Sequence, residues 1–510
     1  MSAIHVPGAP ALRQPELVGS DSLYVPSGPA GFRRVLLLNP PVYDAQYWAR
    51  WSQPAGLLRI ATYLRTQGYD VTLIDCMEAD AKGFVTKRRH KAVEGPAAYV
   101  RGDISRAIWH FGLSWDEVRQ RMGSMPRPDE VWIGSVMTYW WESTRDAVLL
   151  ARELFPGARI CVGGIYPTLA PDHAARNLGG ADYVFMGELK AASECRTDLS
   201  LYETPPTYAI LTSSRGCPWD CNYCAARTLN GGSNKVRGRE AEDVVDEIED
   251  KMRRFGIRHF GFYEDNALVL RGHLKRILEL IIERGLKVTL YAPEGFETRL
   301  LDYETLRVMK KAGFRKVHLP FETLKWETNE GWNRRHASTA SFEAALDAAI
   351  RAGFKPRTEE INAFVLFGLP DDNLQDIMDG VTYVHHMVGS VIPMLFTPVP
   401  GTNVYREHAE YLHGEMGWDL QHLNGKLLPF LEYNQRRYTG LKASDYLQLE
   451  ALMSILNNGK FLSRAIDLCD SSAGSRAFRS AALENRTRTA TNWTVAEAPL
   501  ACLGGASRAD

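Results

Sequence analysis

No stretch of the 510 residues approaches the roughly 18 consecutive apolar residues that cross a bilayer, so the sequence offers no candidate membrane-spanning helix. Charge of one sign is equally lacking. Sixty Lys and Arg stand against 61 Asp and Glu, a net charge of −1, which gives no overall field to attract nucleic acid or an anionic membrane surface. Eight cysteines in a chain of this length are too sparse for a disulfide scaffold. The opening residues, MSAIHVPGAPALRQPELVG, have no charged start followed by an apolar stretch, so they do not read as a secretory signal, and the cytoplasm is the expected location. A G-x-G-x-x-G turn is also missing, which counts against a dinucleotide. What remains is ordinary for globular protein: 45% hydrophobic and 24% charged residues, enough for about three domains at roughly 100–200 residues each.

Pro, Gly and Ser dominate residues 1–30, which predicts a disordered arm. From Arg34 onward short apolar runs alternate with helical spacing. Strands are expected at 33–39, 70–75, 130–137, 158–164 and 181–188, with helices at 56–69 and 143–157. That alternation implies a parallel, doubly wound Rossmann-like domain over 31–190. An insertion at about 81–128 carries Lys87-Arg88-Arg89-His90-Lys91, a basic run that ordinarily forms a solvated loop. After a linker at 191–206 a second alternation begins. Its strands are expected at 208–214, 258–263, 287–292, 315–320, 359–367 and 391–397, with helices between them that end at Gly256, Gly285, Gly313 and Gly353. Six strands with five crossovers predict a partial α/β barrel over 207–404, with chemistry at the C-terminal ends of its strands. Residues 405–470 read as helical, and 471–510, rich in Ala, Ser, Arg and Thr, as a disordered tail.

Three of the eight cysteines fall together directly after the first barrel strand, as Cys217-Pro218-Trp219-Asp220-Cys221-Asn222-Tyr223-Cys224. Cys76, Cys161, Cys195, Cys469 and Cys502 are scattered. Two metals suit thiolates at this spacing. Structural zinc takes four protein ligands, commonly in paired knuckles, and no nearby His or Cys completes a tetrahedron. A 4Fe–4S cluster also needs four ligands, so three thiolates would leave one iron open to bind and activate a ligand. The pattern favours iron–sulfur.

With its aromatic before the last cysteine, the motif resembles the radical S-adenosylmethionine (radical SAM) superfamily. Further matching residues are Phe262-Tyr263-Glu264-Asp265-Asn266, Pro293-Glu294-Gly295, Leu319-Pro320-Phe321-Glu322-Thr323, Phe367-Gly368-Leu369-Pro370 and Pro398-Val399-Pro400-Gly401-Thr402. The resemblance spans roughly 205–402. It implies that Cys217, Cys221 and Cys224 ligate the cluster, that S-adenosylmethionine chelates the open iron, and that an electron from the cluster cleaves it to a 5′-deoxyadenosyl radical. By the same resemblance Tyr223, Glu322, Thr323, Arg335 and Gly368 would contact S-adenosylmethionine. Glu322 and Thr323 would face its ribose or amino-acid end, Arg335 its carboxylate and Gly368 its adenine.

A doubly wound domain ahead of such a barrel resembles the cobalamin-binding domain of one large subgroup. The residues that carry this are Pro41 after the first strand, Gly56 in the first helix, Ser135, Thr138 and Tyr139 after the third strand, Gly163 and Gly164 after the fourth, and Gly187 and Glu188 after the fifth. Small residues at strand ends admit a bulky cofactor close to the backbone. The alternative is a nucleotide-binding or vestigial domain. The Asp-x-His-x-x-Gly sequence that carries a cobalt-ligating His in many such domains is absent, and Asp172-His173 lacks its spacing. If cobalamin binds, its lower face is then expected to be free of His, with Tyr139-Trp140-Trp141 as candidates to cover it or to form interdomain core.

The resemblance implies an enzyme: a cobalamin-dependent radical methyltransferase acting on an unactivated carbon, or on phosphorus, of a small-molecule or natural-product substrate. A one-electron donor such as flavodoxin or ferredoxin would supply it. Two alternatives stand beside this, a cobalamin-dependent radical cyclase or rearrangement enzyme and a non-enzymatic, zinc-stapled cobalamin sensor. Nothing in the sequence assigns a catalytic acid or base.

Overall fold

The computed structural model describes residues 13–19, 33–46, 53–79, 85–89, 98–101, 104–334 and 337–468. Strand Arg34–Asn39 explains how the front domain assembles, because all of it after Arg34 is buried. Successive side chains of a strand point to opposite faces. Leu36 and Leu38 therefore join one core with Val131, Ile133, Val148 and Ile160, while Val35 and Leu37 join another with Leu57, Ala61 and Leu64 of helix Ala55–Thr66. A strand covered on both faces needs this unbroken apolar run.

The full sheet runs Asp70–Asp75, Arg34–Asn39, Glu130–Ser135, Arg159–Gly164, Tyr183–Met186 and Glu16–Gly19, all parallel. For the five strands from Arg34 this is the order 2-1-3-4-5, whose reversal lies between Arg34–Asn39 and Glu130–Ser135. Ligands of doubly wound sheets bind at that reversal, beyond the strands' C-terminal ends. The edge strand Glu16–Gly19 corrects the expectation of a disordered arm over 1–30 at those residues, since its backbone pairs with Tyr183–Met186.

The insertion also departs from expectation. Lys87–Arg89 is not loop but strand, pairing antiparallel with Trp109–Phe111, which pairs in turn with Val42–Asp44. The Lys87 ammonium lies 4.0 Å from the centre of the Trp109 ring, a cation–π contact that sequence charge alone does not reveal. A hairpin, Ala98–Arg101 with Ile104–Ala107, follows, and Arg106 reaches Glu450 of the C-terminal helix at 3.0 Å.

In the barrel, six parallel strands form two three-stranded sheets. Tyr208–Leu211, His259–Phe262 and Thr289–Tyr291 make one, and Val317–Phe321, Ile361–Phe367 and Ser390–Leu395 the other. A bridge between Leu290 and Phe314 links them. Val317, Leu319, Phe321, Ile361, Ala363 and Val365 are buried in one large core with the flanking helices, so the alternate residues face the barrel lumen.

The C-terminal region is helical, ending in helix Ala443–Leu468, and it does not pack as a separate unit. Val404, Tyr411, Leu412, Leu420, Leu423 and Phe430 lie in the same core as the front sheet's Leu36 and Ile133. At the seam, buried Asp44 accepts from the Nζ of Lys426 and the amide of Asn424 at 3.0 Å and from the Trp140 indole at 2.9 Å. The expected tail at 471–510 lies outside the described residues. No helix among the described residues is long and apolar enough to cross a membrane.

Candidate functional site

The first barrel strand ends at Leu211, and the chain then turns through Ser213 and Ser214 into the cysteine loop. Glu264, two residues past the second barrel strand, shapes this turn. Its carboxylate accepts the Ser213 N–H at 2.5 Å and hydroxyl at 2.9 Å, the Ser214 N–H at 2.7 Å, and the Ser214 hydroxyl. Asp265 accepts the Gly216 N–H at 2.7 Å, and the Asn266 side chain hydrogen-bonds Cys217. Gly216 has φ of +99°, and a Cβ there would lie 2.4 Å from the Lys235 carbonyl oxygen. Only glycine tolerates both conditions. Matched to the family from sequence, Glu264, Asp265 and Asn266 thus act as the mould of the cysteine loop.

From the other side the loop is held by residues 331–333 and 403–404. The Asn222 N–H donates to the Trp332 carbonyl at 3.0 Å and its side chain to that of Gly331 at 2.8 Å. Asn333 donates to the Asp220 carbonyl at 2.7 Å, and Val404 to that of Asn222 at 3.1 Å. Cys217, Cys221 and Cys224 all carry free thiols. Burial pushes Cys217 up to about 11 and Cys221 up to about 12, and raises Cys224 as well. Cys224 is the most exposed of the three. Metal-free, these thiols stay protonated at neutral pH, so loading a metal releases protons.

Three thiols fall one short of structural zinc's four ligands. Among the described residues no three or more His, Cys, Asp or Glu side chains are grouped to hold a single metal ion. A soft set of three sulfurs without a fourth protein ligand fits a cubane cluster with one open iron.

Beside the loop lies a cavity of about 330 Å³, lined among others by Asn222, Glu322, Thr323, Trp332, Asp372 and His408. Glu322, just past the fourth barrel strand, pairs with Arg334 at 2.8 Å, both nearly buried. The Arg334 guanidinium carbon lies 5.9 Å from the centre of the Tyr223 ring, which itself meets Trp332 edge-on at 5.9 Å. Arg334 Nε and the Tyr223 hydroxyl are buried without a hydrogen-bond partner. Such atoms are rare in a finished interior, and here both retain hydrogen-bonding capacity for a polar ligand. Arg335, the cation expected from sequence, lies outside the described residues. Sequence reasoning passed over its neighbour Arg334 because two adjacent arginines cannot be ranked without the fold. Gly368 sits at the tip of the fifth strand with φ of +89°. Its N–H and that of Leu369 donate to Asp372, whose carboxyl is pushed up to about 7 by burial. Asp372 carried no motif and was also passed over.

At the front sheet's C-terminal end, Pro41 and Thr138 are buried and Gly56 lies in helix Ala55–Thr66. The Ser135 hydroxyl is spent on Thr144 at 2.8 Å. A Cβ on Gly164 would lie 2.2 Å from the Ser135 carbonyl oxygen, whereas one on Gly163 meets only ordinary contact with Phe185. The Gly187 N–H donates to the Thr168 hydroxyl at 2.9 Å, and Glu188 pairs with Arg237 at 2.7 Å. Tyr139 meets Trp140 edge-on at 5.6 Å. Next to them Val136 and Met137 are 41% and 39% exposed, apolar side chains left uncovered at the sheet's reversal. His173 uses both ring nitrogens, one on the Tyr166 hydroxyl at 2.8 Å and one on Asp419 at 2.7 Å. Helix Ile165–Leu169, which follows Gly164, packs on helix Ala226–Leu229, which follows Cys224.

Known proteins are similar to this chain. The bacteriochlorophyllide d C-12(1)-methyltransferase of Chlorobaculum tepidum is 22% identical over 302 residues, 52% of this chain and 63% of that protein. The cytidylyl-2-hydroxyethylphosphonate methyltransferase of Streptomyces wedmorensis is 23% identical over 402 residues, 63% of this chain and 70% of that protein. The chain thus spans less than two thirds of the first relative's length. The structure of the radical S-adenosylmethionine methyltransferase TsrM from Kitasatospora setae, with cobalamin and a 4Fe–4S cluster bound, has the same fold at 16% identity, with a TM-score of 0.56 over 75% of this chain and 79% of that one. The family model of the radical SAM superfamily matches residues 211–381, the segment that holds the cysteine loop, its Glu264 mould and the Glu322–Arg334 pair, and this chain therefore carries a radical SAM domain.

Proposed function

We propose that this chain is a cobalamin-dependent radical SAM methyltransferase acting on an unactivated carbon, or on phosphorus, of a small molecule. The observation that carries the reading is the meeting of two ligand-binding edges. The reversal of the front sheet, with its uncovered Val136 and Met137, opens on the side where helix Ile165–Leu169 packs on the helix behind Cys224. When bound, the cluster and S-adenosylmethionine supply reductive carbon–sulfur cleavage, and cobalamin carries a methyl group.

The chain's own residues bind and orient. Glu264 and Asp265 hold the cysteine loop in shape, and the Glu322–Arg334 pair offers S-adenosylmethionine an anion and a cation side by side. Tyr223 offers its ring beside the last cysteine. The acidic lining of the cavity suits a cationic sulfonium. Ion pairs tie the front domain to the C-terminal region at Asp44–Lys426 and to the barrel at Glu188–Arg237. A one-electron donor such as flavodoxin or ferredoxin would reduce the cluster.

Anaerobic reconstitution followed by iron, cobalamin and product analysis tests this. The expected result is one cluster lost in the Cys217→Ala, Cys221→Ala, Cys224→Ala triple variant, retained when the other five cysteines are replaced, and a product heavier by one methyl group. A rearranged product of unchanged mass would point instead to a cyclase, and zinc without iron to a stapled sensor.

A further inference from the structure

The short helix Asn403–Glu407 is fastened directly to the cysteine loop. Val404 donates its N–H to the Asn222 carbonyl at 3.1 Å, and the Asn403 side-chain amide donates to the Asn222 side-chain oxygen at 3.1 Å. One turn further on, His408 donates its own N–H to the Val404 carbonyl at 3.2 Å. The position of His408 is therefore set by the loop that carries Cys221 and Cys224. Two rings hold its imidazole edge-on, Phe430 at 5.1 Å and Tyr433 at 5.0 Å, and Phe430 is fully buried. The imidazole lines the cavity of about 330 Å³ beside the cysteine loop, to which Val365, Leu366, Pro370 and Ile377 give apolar surface.

The carboxylates around this cavity are largely engaged. Glu322 pairs with Arg334, Asp371 with Arg437 at 2.5 Å and Asp376 with Lys325 at 2.5 Å, while Glu407 is exposed. Asp372 accepts the N–H groups of Gly368 and Leu369, and Asp371 donates its N–H to Asn434 at 2.7 Å. The tip of the fifth strand, expected from sequence to face adenine, thus has its backbone donors already spent. His408 differs. Neither of its ring nitrogens has a hydrogen-bond partner among the described residues. Burial lowers its pKa, so at neutral pH the ring is uncharged, with one nitrogen an acceptor and the other a donor.

We propose that His408 is the specificity-determining contact for the adenine of S-adenosylmethionine: an imidazole nitrogen accepts from the 6-amino group while the base lies against the cavity's apolar surface. The proposal rests on the reading that S-adenosylmethionine binds at the cysteine loop. Its amino-acid end belongs at the open iron, which leaves the adenine for the cavity adjoining Asn222. The 6-amino group is the donor of the base and neighbours N7 on one edge and N1 on the other. An acceptor placed there reads adenine whichever edge is presented.

The test titrates the full-length reconstituted protein by calorimetry with two ligands. One is S-adenosylhomocysteine, which carries the adenine without the cleavable sulfonium, and the other is its analogue with hydrogen in place of the 6-amino group. S-adenosylhomocysteine should bind about tenfold more tightly than the analogue, as expected for one hydrogen bond inside a cavity. His408→Phe keeps a ring between Phe430 and Tyr433 but removes both nitrogens. It should bring S-adenosylhomocysteine down to the analogue's affinity and leave the analogue within about threefold, a pattern that general damage to the site would not give. His408→Leu reads the same contact should the Phe variant not fold. Equal affinities in the unaltered protein, or a preference that survives both substitutions, would overturn the proposal while full cluster loading and ligand binding left the reading beneath it intact. Absence of both the cluster and ligand binding would overturn that reading and the proposal together.

Discussion

Replacing Glu264 with Gln asks how strongly one carboxylate moulds the cysteine loop. In the native protein one oxygen serves Ser213 N–H and hydroxyl and the other serves Ser214 N–H and hydroxyl, and Ser213 and Ser214 are both buried. Glutamine of the same shape offers one oxygen to two of these donors and turns its own N–H groups on the other two. A serine hydroxyl can rotate and accept, but a backbone N–H cannot. One buried N–H is then left facing a donor, at about 1–3 kcal/mol, and the surviving bonds lose their charge assistance for about 1 kcal/mol more. A cost near 3 kcal/mol shifts local opening by roughly 10²-fold. Hydrogen exchange of the amides of Ser213, Ser214 and Gly216 in cofactor-free protein should accelerate by about that factor, and iron incorporation should fall with it. Protection within about threefold of the unaltered protein would refute the assignment of Glu264 as the mould.

Glu247 accepts from Thr197 N–H and hydroxyl, Lys251 and Arg239. Burial would raise its pKa, but Lys251 and Arg239 outweigh burial and pull the carboxyl down to about 2. A depressed folded pKa stabilises above the unfolded value, ordinarily near 4.5. That stabilisation, about 3 kcal/mol by linkage, is lost as pH falls through about 2. Glu247→Gln should lower the denaturant midpoint at neutral pH, since it strands two buried cations at about 3–5 kcal/mol; an unchanged midpoint would count against this. His173→Ala should leave the paramagnetic spectrum of bound cob(II)alamin without nitrogen coupling, as in the unaltered protein, because both His173 nitrogens are already used. A His coupling in the unaltered protein would overturn that reading. Arg334→Met leaves Glu322 nearly buried without its cation and should weaken S-adenosylmethionine binding by calorimetry at least about tenfold; unaltered affinity would place the ligand elsewhere.

The sequence by itself determined the local elements and the metal chemistry. Asp70–Asp75 was readable to the residue, and the barrel strands to within a few, because short apolar runs between glycines and polar turns leave little choice of period. Cys217, Cys221 and Cys224 were readable because their spacing is a covalent property of the chain. Tertiary structure decided the rest. The two triplets of the barrel part between Tyr291 and Val317, and strand Glu16–Gly19 finds its partner 167 residues away at Tyr183–Met186; neither is written in local periodicity. Arg334 meets Glu322 because of where its loop arrives beside the fourth barrel strand. Residues 404–430 complete the front domain's core, which composition had assigned to a region of its own. In each case the physical reason is the same. A side chain's partner is set by where distant backbone arrives, and burial, pairing or the want of a partner exists only once that backbone is in place.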